Sequence, residues 1–224
     1  MNERLFAIGD IHGCFGTFQE LIEYKIEIKN NDKLVLLGDY IDRGNQSKEV
    51  VDYIIDLQHK GFDIIPLMGN HEAMLIDSID SDAFLSNWML NGGGVTLKSF
   101  GIKSLKALDQ TYIDFFKGLQ FYYMFNNFLF VHAGFNDEIS DPFEDKDQMI
   151  WARREKYTNP VFKDKIIIHG HTPVTESFCR HSILDNRRVI NIDTGCIYAG
   201  NAGYGYLSAL ELNSMKLFSS VNNY

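Results

Sequence analysis

The chain has 224 residues, with 21 Lys and Arg against 30 Asp and Glu, a formal charge of -9, and 45% hydrophobic residues. That is enough apolar material for one domain over residues 1–224, and the negative balance argues against broad electrostatic binding to nucleic acid or an anionic membrane. Cys14, Cys179 and Cys196 are odd in number and lack Cys-x-x-Cys spacing, so no disulfide framework or thiolate zinc site is indicated. Without a signal-like opening or an apolar run near the ~20 residues of a membrane-spanning helix, the expectation is a soluble cytoplasmic protein.

Arg4 to Ile11 reads as a strand and Thr17 to Ile28 as a helix, with Phe18, Leu21, Ile22 and Ile26 near helical spacing. Lys33 to Leu37 is a buried-strand pattern after the turn at Asn30-Asn31-Asp32. Ser47 to Lys60 places Val50, Val51, Ile54, Ile55 and Leu57 on one helical face and stops at Gly61. Asp63 to Met68 returns to strand. Such a βαβαβ alternation implies parallel strands, with ligands beyond their carboxyl ends. Ala73 to Gly118 is mostly helical in character, broken at Gly92-Gly93-Gly94, and is expected to cap the site. Phe121–Phe125 and Phe128–His132 predict a hairpin around Asn126-Asn127, followed by strands at Lys165–His169 and Val189–Asp193. Tyr206–Leu212 and Lys216–Val221 predict a closing pair.

Five polar clusters follow apolar, strand-like runs: Gly-Asp-Ile-His-Gly at 9–13, Gly-Asp-Tyr-Ile-Asp-Arg-Gly at 38–44, Gly-Asn-His-Glu at 69–72, His-Ala-Gly at 132–134 and His-Gly-His-Thr at 169–172. Strand-end loops can bring distant donors together. Carboxylate, amide oxygen and neutral imidazole suit borderline cations such as Mn²⁺, Fe or Zn²⁺ and a two-metal hydrolytic centre. A lone Asp-x-His is an ordinary polar turn, and Asp39 and Asp42 could serve as helix caps. The joint occurrence of all five clusters favours metal chemistry. Their glycines read as loop scaffold.

In order and wording these clusters resemble the phosphoprotein phosphatase family of calcineurin-like metallophosphoesterases, particularly its compact bacterial and phage serine/threonine phosphatases, from Ile8 to Gly195. The resemblance implies an α/β fold with two mixed β-sheets in a sandwich flanked by helices. It implies Asp10, His12 and Asp39 as ligands of one divalent ion, with Asp39 bridging to a second held by Asn70, His132 and His171. A hydroxide shared by the two ions would be the nucleophile, His71 the general acid, and Asp42 the carboxylate that orients it. Arg43 would bind substrate phosphate, joined by Arg153 or Arg154 beside Trp151, with Arg153 preferred. His169 is left as a group behind the ligands, and Glu72 as a brace of the Asn70-His71 loop.

The implied activity is hydrolysis of phosphomonoesters on serine or threonine of a protein or peptide partner, with two Mn²⁺ ions. A symmetrical diadenosine tetraphosphate hydrolase is the alternative, disfavoured because Asp42-Arg43-Gly44 is kept where those enzymes tend to depart. A non-catalytic phosphate-binding module is the alternative of another class, and it would be expected to have lost a ligand or the acid.

Overall fold

The structure, a computed structural model, describes residues 3–223. The expected βαβαβ unit opens the fold: β1 (Leu5–Ile8), β2 (Lys33–Leu36) and β3 (Asp63–Pro66) pair in parallel. β8 (Tyr206–Glu211) joins antiparallel to β1 and is followed by β9 (Lys216–Val221), giving the order β3-β2-β1-β8-β9. A second sheet has the order β4-β5-β6-β7, from β4 (Tyr122–Phe125), β5 (Phe128–Val131), β6 (Ile166–His169) and β7 (Val189–Asn191). The β4–β5 hairpin pairs Phe125 with Phe128 across the predicted turn, whereas β5, β6 and β7 run parallel.

Side chains alternate between the faces of a strand, so strands covered on both faces are apolar throughout. Leu5, Ala7, Val35 and Ile65 from the first sheet meet Phe130, Ile168 and Ile190 from the second, forming the inner layer of the sandwich. Phe6, Ile8, Leu34 and Leu36 face the other way, onto helices α1 (Phe15–Glu20) and α2 (Ser47–His59). α2 buries Val50, Val51, Ile54 and Leu57, while its charged side carries ion pairs four residues apart, Lys48–Asp52 and Lys60–Asp56, both at 2.6 Å. The outer face of the second sheet, with Leu129, Val131 and Ile167, is covered by Phe135, Met149 and Phe162.

The segment expected as a cap is helical: α3 (Asn70–Asp77), α4 (Asp82–Trp88), α5 (Gly94–Ser99) and α6 (Gln110–Lys117). Gly92, at φ 109°, makes the bend between α4 and α5. The structure departs from the sequence reading in three places. The helix expected from Thr17 to Ile28 is six residues of α1 followed by a wide π-type turn, Leu21–Lys25. Two further helices have no sequence-based counterpart, α7 (Lys146–Trp151) and α8 (Glu176–Leu184). α8 buries only Cys179, Ser182 and Ile183, too narrow a stripe to register as helical periodicity.

Among the described residues, no helix is long and apolar enough to cross a membrane.

Candidate metal centre

Each of five parallel strands ends where a polar cluster begins: β1 leads to Asp10 and His12, β2 to Asp39 and Asp42, β3 to Asn70 and His71, β5 to His132, and β6 to His171. The loops turn sharply. His12, Asp39, Asp42, Arg43 and His171 all adopt positive φ, between 45° and 71°, where a residue with a Cβ is strained. They account for five of the nine such non-glycine residues described, so the strain is concentrated where side chains must be aimed.

Two groups of donors close up around Asp39: His12, Asp39 and His71 on one side, and Asp39, His132 and His171 on the other. Asp39 Oδ2 lies 3.5 Å from His12 Nε2, and Oδ1 lies 3.5 Å from His132 Nε2, so the carboxylate turns one oxygen to each group. Glu72 fixes the Asp39 loop. Its carboxylate accepts the backbone N–H groups of Asp39 at 2.9 Å, Tyr40 at 2.8 Å and Gly69 at 3.1 Å. The sequence reading put this brace on the Asn70-His71 loop; the structure puts most of it on the loop after β2. Gly69 is required there because a Cβ would sit 2.4 Å from the Asp39 nitrogen.

His12 and His132 are held neutral, each with Nε2 as an acceptor. His12 Nδ1 donates to the Ile41 carbonyl at 2.9 Å and His132 Nδ1 to that of Leu37 at 2.8 Å, leaving each Nε2 as a lone pair. Burial pushes the His12 imidazole down to about 3 and lowers that of His132. His132 Nε2 then faces Asn70 Oδ1 at 3.0 Å, and His171 Nδ1 faces the same oxygen at 3.0 Å. With its Nδ1–H committed to Leu37, His132 sets a lone pair against the Asn70 oxygen, a pair of acceptors that repel unless a cation lies between them. His171 Nε2 is itself buried with no hydrogen-bond partner among the described residues.

Asp10 lies outside both groups. Its carboxylate accepts the His171 backbone N–H at 3.1 to 3.2 Å, and burial with the charges of Asp193 and Asp39 raises its pKa well above the usual carboxylate range. Buried carboxylates that repel one another, beside unprotonated imidazoles, fit divalent cations.

His71 stands apart from the other histidines. Its Nδ1 meets Asp42 Oδ2 at 2.7 Å, and its Nε2 points toward Asp39 Oδ2 at 3.9 Å. Burial opposes protonation, but Asp39 and Asp42 outweigh it and raise the pKa above the ordinary value. Asp42 is held by two residues absent from the sequence reading: Trp88 Nε1 donates to Oδ2 at 2.9 Å and the Thr96 hydroxyl to Oδ1 at 2.6 Å. Both come from the helical segment expected to cap the site. No motif marks either one.

Exposed Arg43 donates to His12 Nε2 at 2.7 Å. Arg154 turns away into contacts with Glu138 at 3.2 Å and Asp137 at 3.7 Å. Arg153 is exposed, and its positive charge contributes to the lowering of the His171 pKa, behind burial and His132. Trp151 sets its ring edge-on to His171, with centroids 5.9 Å apart, and remains 44% exposed. His169 is buried, its Nδ1 against the Gly170 carbonyl, outside both donor groups.

A two-sheet α/β sandwich that gathers histidines, an asparagine and carboxylates at parallel strand ends defines a metallophosphoesterase. The chain belongs to the calcineurin-like phosphoesterase family, which it matches over residues 3–199, and it is a hydrolase of that class. It is 27% identical to an asymmetrical bis(5'-nucleosyl)-tetraphosphatase of Anoxybacillus flavithermus, over 95% of this chain and 91% of that protein. It is 25% identical to serine/threonine-protein phosphatase 2 of Salmonella typhimurium, over 90% of this chain and 91% of the relative. A crystal structure proposed to be a diadenosine tetraphosphatase superposes with a TM-score of 0.71 at 19% identity, covering 98% of this chain and 94% of the other. Relatives named for the two substrate classes thus stand at similar distance from the chain.

Proposed function

We propose that the chain hydrolyses phosphomonoesters on serine or threonine residues of proteins at a centre of two divalent ions, Mn²⁺ in the first instance, with Fe or Zn²⁺ also suited to the donors. Asp10, His12 and Asp39 would hold one ion; Asp39, Asn70, His132 and His171 the other. The observation that carries the two-ion hydrolytic reading is the placement of Asp39, one oxygen toward each donor group, beside a histidine whose pKa is raised, while the serine/threonine substrate class is supported by the Salmonella relative. Bound ions supply Lewis-acid charge to phosphoryl oxygens and lower the pKa of water toward neutrality.

The chain's own residues supply the rest. Arg43, which rests on His12 Nε2 at 2.7 Å, would offer its planar fork to phosphate oxygens once His12 held an ion. Arg153, whose charge acts on His171, would add a second positive charge. His71 gives its Nε2 proton to the departing oxygen, while Asp42 holds Nδ1–H and favours the imidazolium. Trp88 and Thr96 occupy both Asp42 oxygens and so keep that carboxylate from turning.

A second reading, hydrolysis of dinucleoside tetraphosphates, is supported by the Anoxybacillus relative. A non-catalytic module is disfavoured because every proposed ligand and the acid are present. Comparing phosphoserine peptides with diadenosine tetraphosphate as substrates, with Mn²⁺ supplied, separates these readings. The first expects faster turnover of the peptides; preferential cleavage of the dinucleotide overturns it, and binding without turnover of either overturns both.

A further inference from the structure

A cavity of about 990 Å³ lies between the 155–165 segment, helix α8 and β7, an edge strand of the second sheet. Its size is at the upper end of the ~300–1,000 Å³ of sites that enclose a small organic ligand. None of the proposed metal ligands, nor Arg43 or His71, lines it. The floor is apolar, from Phe162, Ile167, Val174, Phe178 and Val189.

The rim is cationic. Lys156, Lys163, Lys165, Arg187 and Arg188 line it, against Glu155 as the one acid among the described lining residues. In a chain where 30 acids outnumber 21 bases, this local reversal of sign is a specific feature. Several of these charges are held in place. Arg188 donates to the Phe162 carbonyl at 2.6 Å and to that of Lys165 at 3.1 Å, which fixes its guanidinium. Arg187 lies over the Phe178 ring at 5.1 Å and only 3.9 Å from Asp185, a loose pairing. Lys165 Nζ is instead turned to the Asn126 carbonyl at 3.4 Å, a residue outside the cavity lining. Lys156 and Lys163 have no ion-pair partner among the described residues. An apolar floor beneath several positive charges matches a ligand with a flat apolar body and more than one negative charge.

We propose that this cavity is a second ligand site, separate from the metal centre, for an organic phosphate with an aromatic body, of the nucleoside phosphate class. The phosphates would lie against the lysines and arginines that line the cavity, and the aromatic body against its apolar lining, with Phe178 the most accessible of the rings there. Removing cations that contact phosphate would weaken binding by about 10-fold or more.

Titration calorimetry with ADP in the presence of EDTA tests this on the wild-type protein, on Lys156→Glu/Lys163→Glu, on Arg187→Glu, and on Arg43→Ala as the control at the metal centre. The proposal expects ADP to bind the wild type, both cavity variants to lose about 10-fold or more in affinity, Arg43→Ala to retain it, and adenosine to bind more weakly. Photolabelling of the wild type with 8-azido-ADP is expected to mark peptides from 155–165 or 176–189, an outcome independent of any variant's folding. Absence of ADP binding at millimolar concentration overturns the proposal. So does binding that is lost in Arg43→Ala and unchanged in the cavity variants, or labelling confined to the metal-centre loops.

Discussion

His71 is subject to opposed influences: burial disfavours its charge, while Asp39 and Asp42 favour it and prevail. A proton held to higher pH than an ordinary imidazole holds it, and available to the departing oxygen, matters most when that oxygen is basic. His71→Asn is therefore expected to lower kcat by about 10² to 10⁴ on phosphoserine peptides. On p-nitrophenyl phosphate, whose leaving group needs little protonation, the loss should be smaller; an equal loss on both substrates would count against His71 as the acid. The pH dependence has a definite sign. A raised pKa keeps the imidazolium populated as pH rises, and activity falls once pH passes through it. Asp42→Asn removes one cause of the raised value, so the alkaline limb of the kcat profile should move to lower pH. An unmoved limb would show that Asp42 does not act through His71. At this scale the sequence was readable where neighbours in the chain are neighbours in the site, as in Asp42-Arg43 and Asn70-His71. Trp88 and Thr96 were not readable, because they reach Asp42 from 46 and 54 residues away and no local pattern marks a side chain's distant target.

Among the elements, the strands and α2 were legible because burial on one or both faces imposes period 2 or 3.6 on the apolar residues. α1 was overextended, since Leu21, Ile22 and Ile26 keep their apolar spacing through a π-type turn. α7 and α8 escaped because a short helix with a narrow buried stripe leaves little periodic signal. The bend between α4 and α5 ties the cap to the site. Gly92 needs φ 109°, and a Cβ there would lie 2.8 Å from the Arg43 nitrogen. Gly92→Ala is expected to destabilise the fold by about 1 to 3 kcal/mol. It should also raise KM for phosphate esters by displacing Arg43. Urea denaturation and steady-state kinetics check both, and unchanged stability would contradict the strain assigned to this bend.

Across the whole molecule, three of the loops that carry the proposed ligands are strained, with five proposed site residues at positive φ, and the loops enclose the buried carboxylates Asp10, Asp39 and Asp193. Burial pushes Asp193 up to about 7, with Asp39 adding to the shift, so negative charge at the centre disfavours the folded state unless cations offset it. Ions that bind only the native protein stabilise it in proportion to the logarithm of their concentration. Addition of Mn²⁺ should therefore raise Tm in the wild type, with a much smaller rise in Asp39→Asn; equal shifts in the two proteins would place the ions elsewhere. The overall architecture was legible because alternating strands and helices leave few ways to connect parallel strands. The substrate was not, because the same strand-end donors serve more than one class of phosphoric ester.

The most direct test of the two-ion centre is a titration of the chelated protein with Mn²⁺, following phosphate release from a phosphoserine peptide against bound metal per chain. Activity absent in the chelated protein and rising to a plateau at two ions per chain is the predicted result. Full activity after chelation, or a plateau at a single ion, would contradict it.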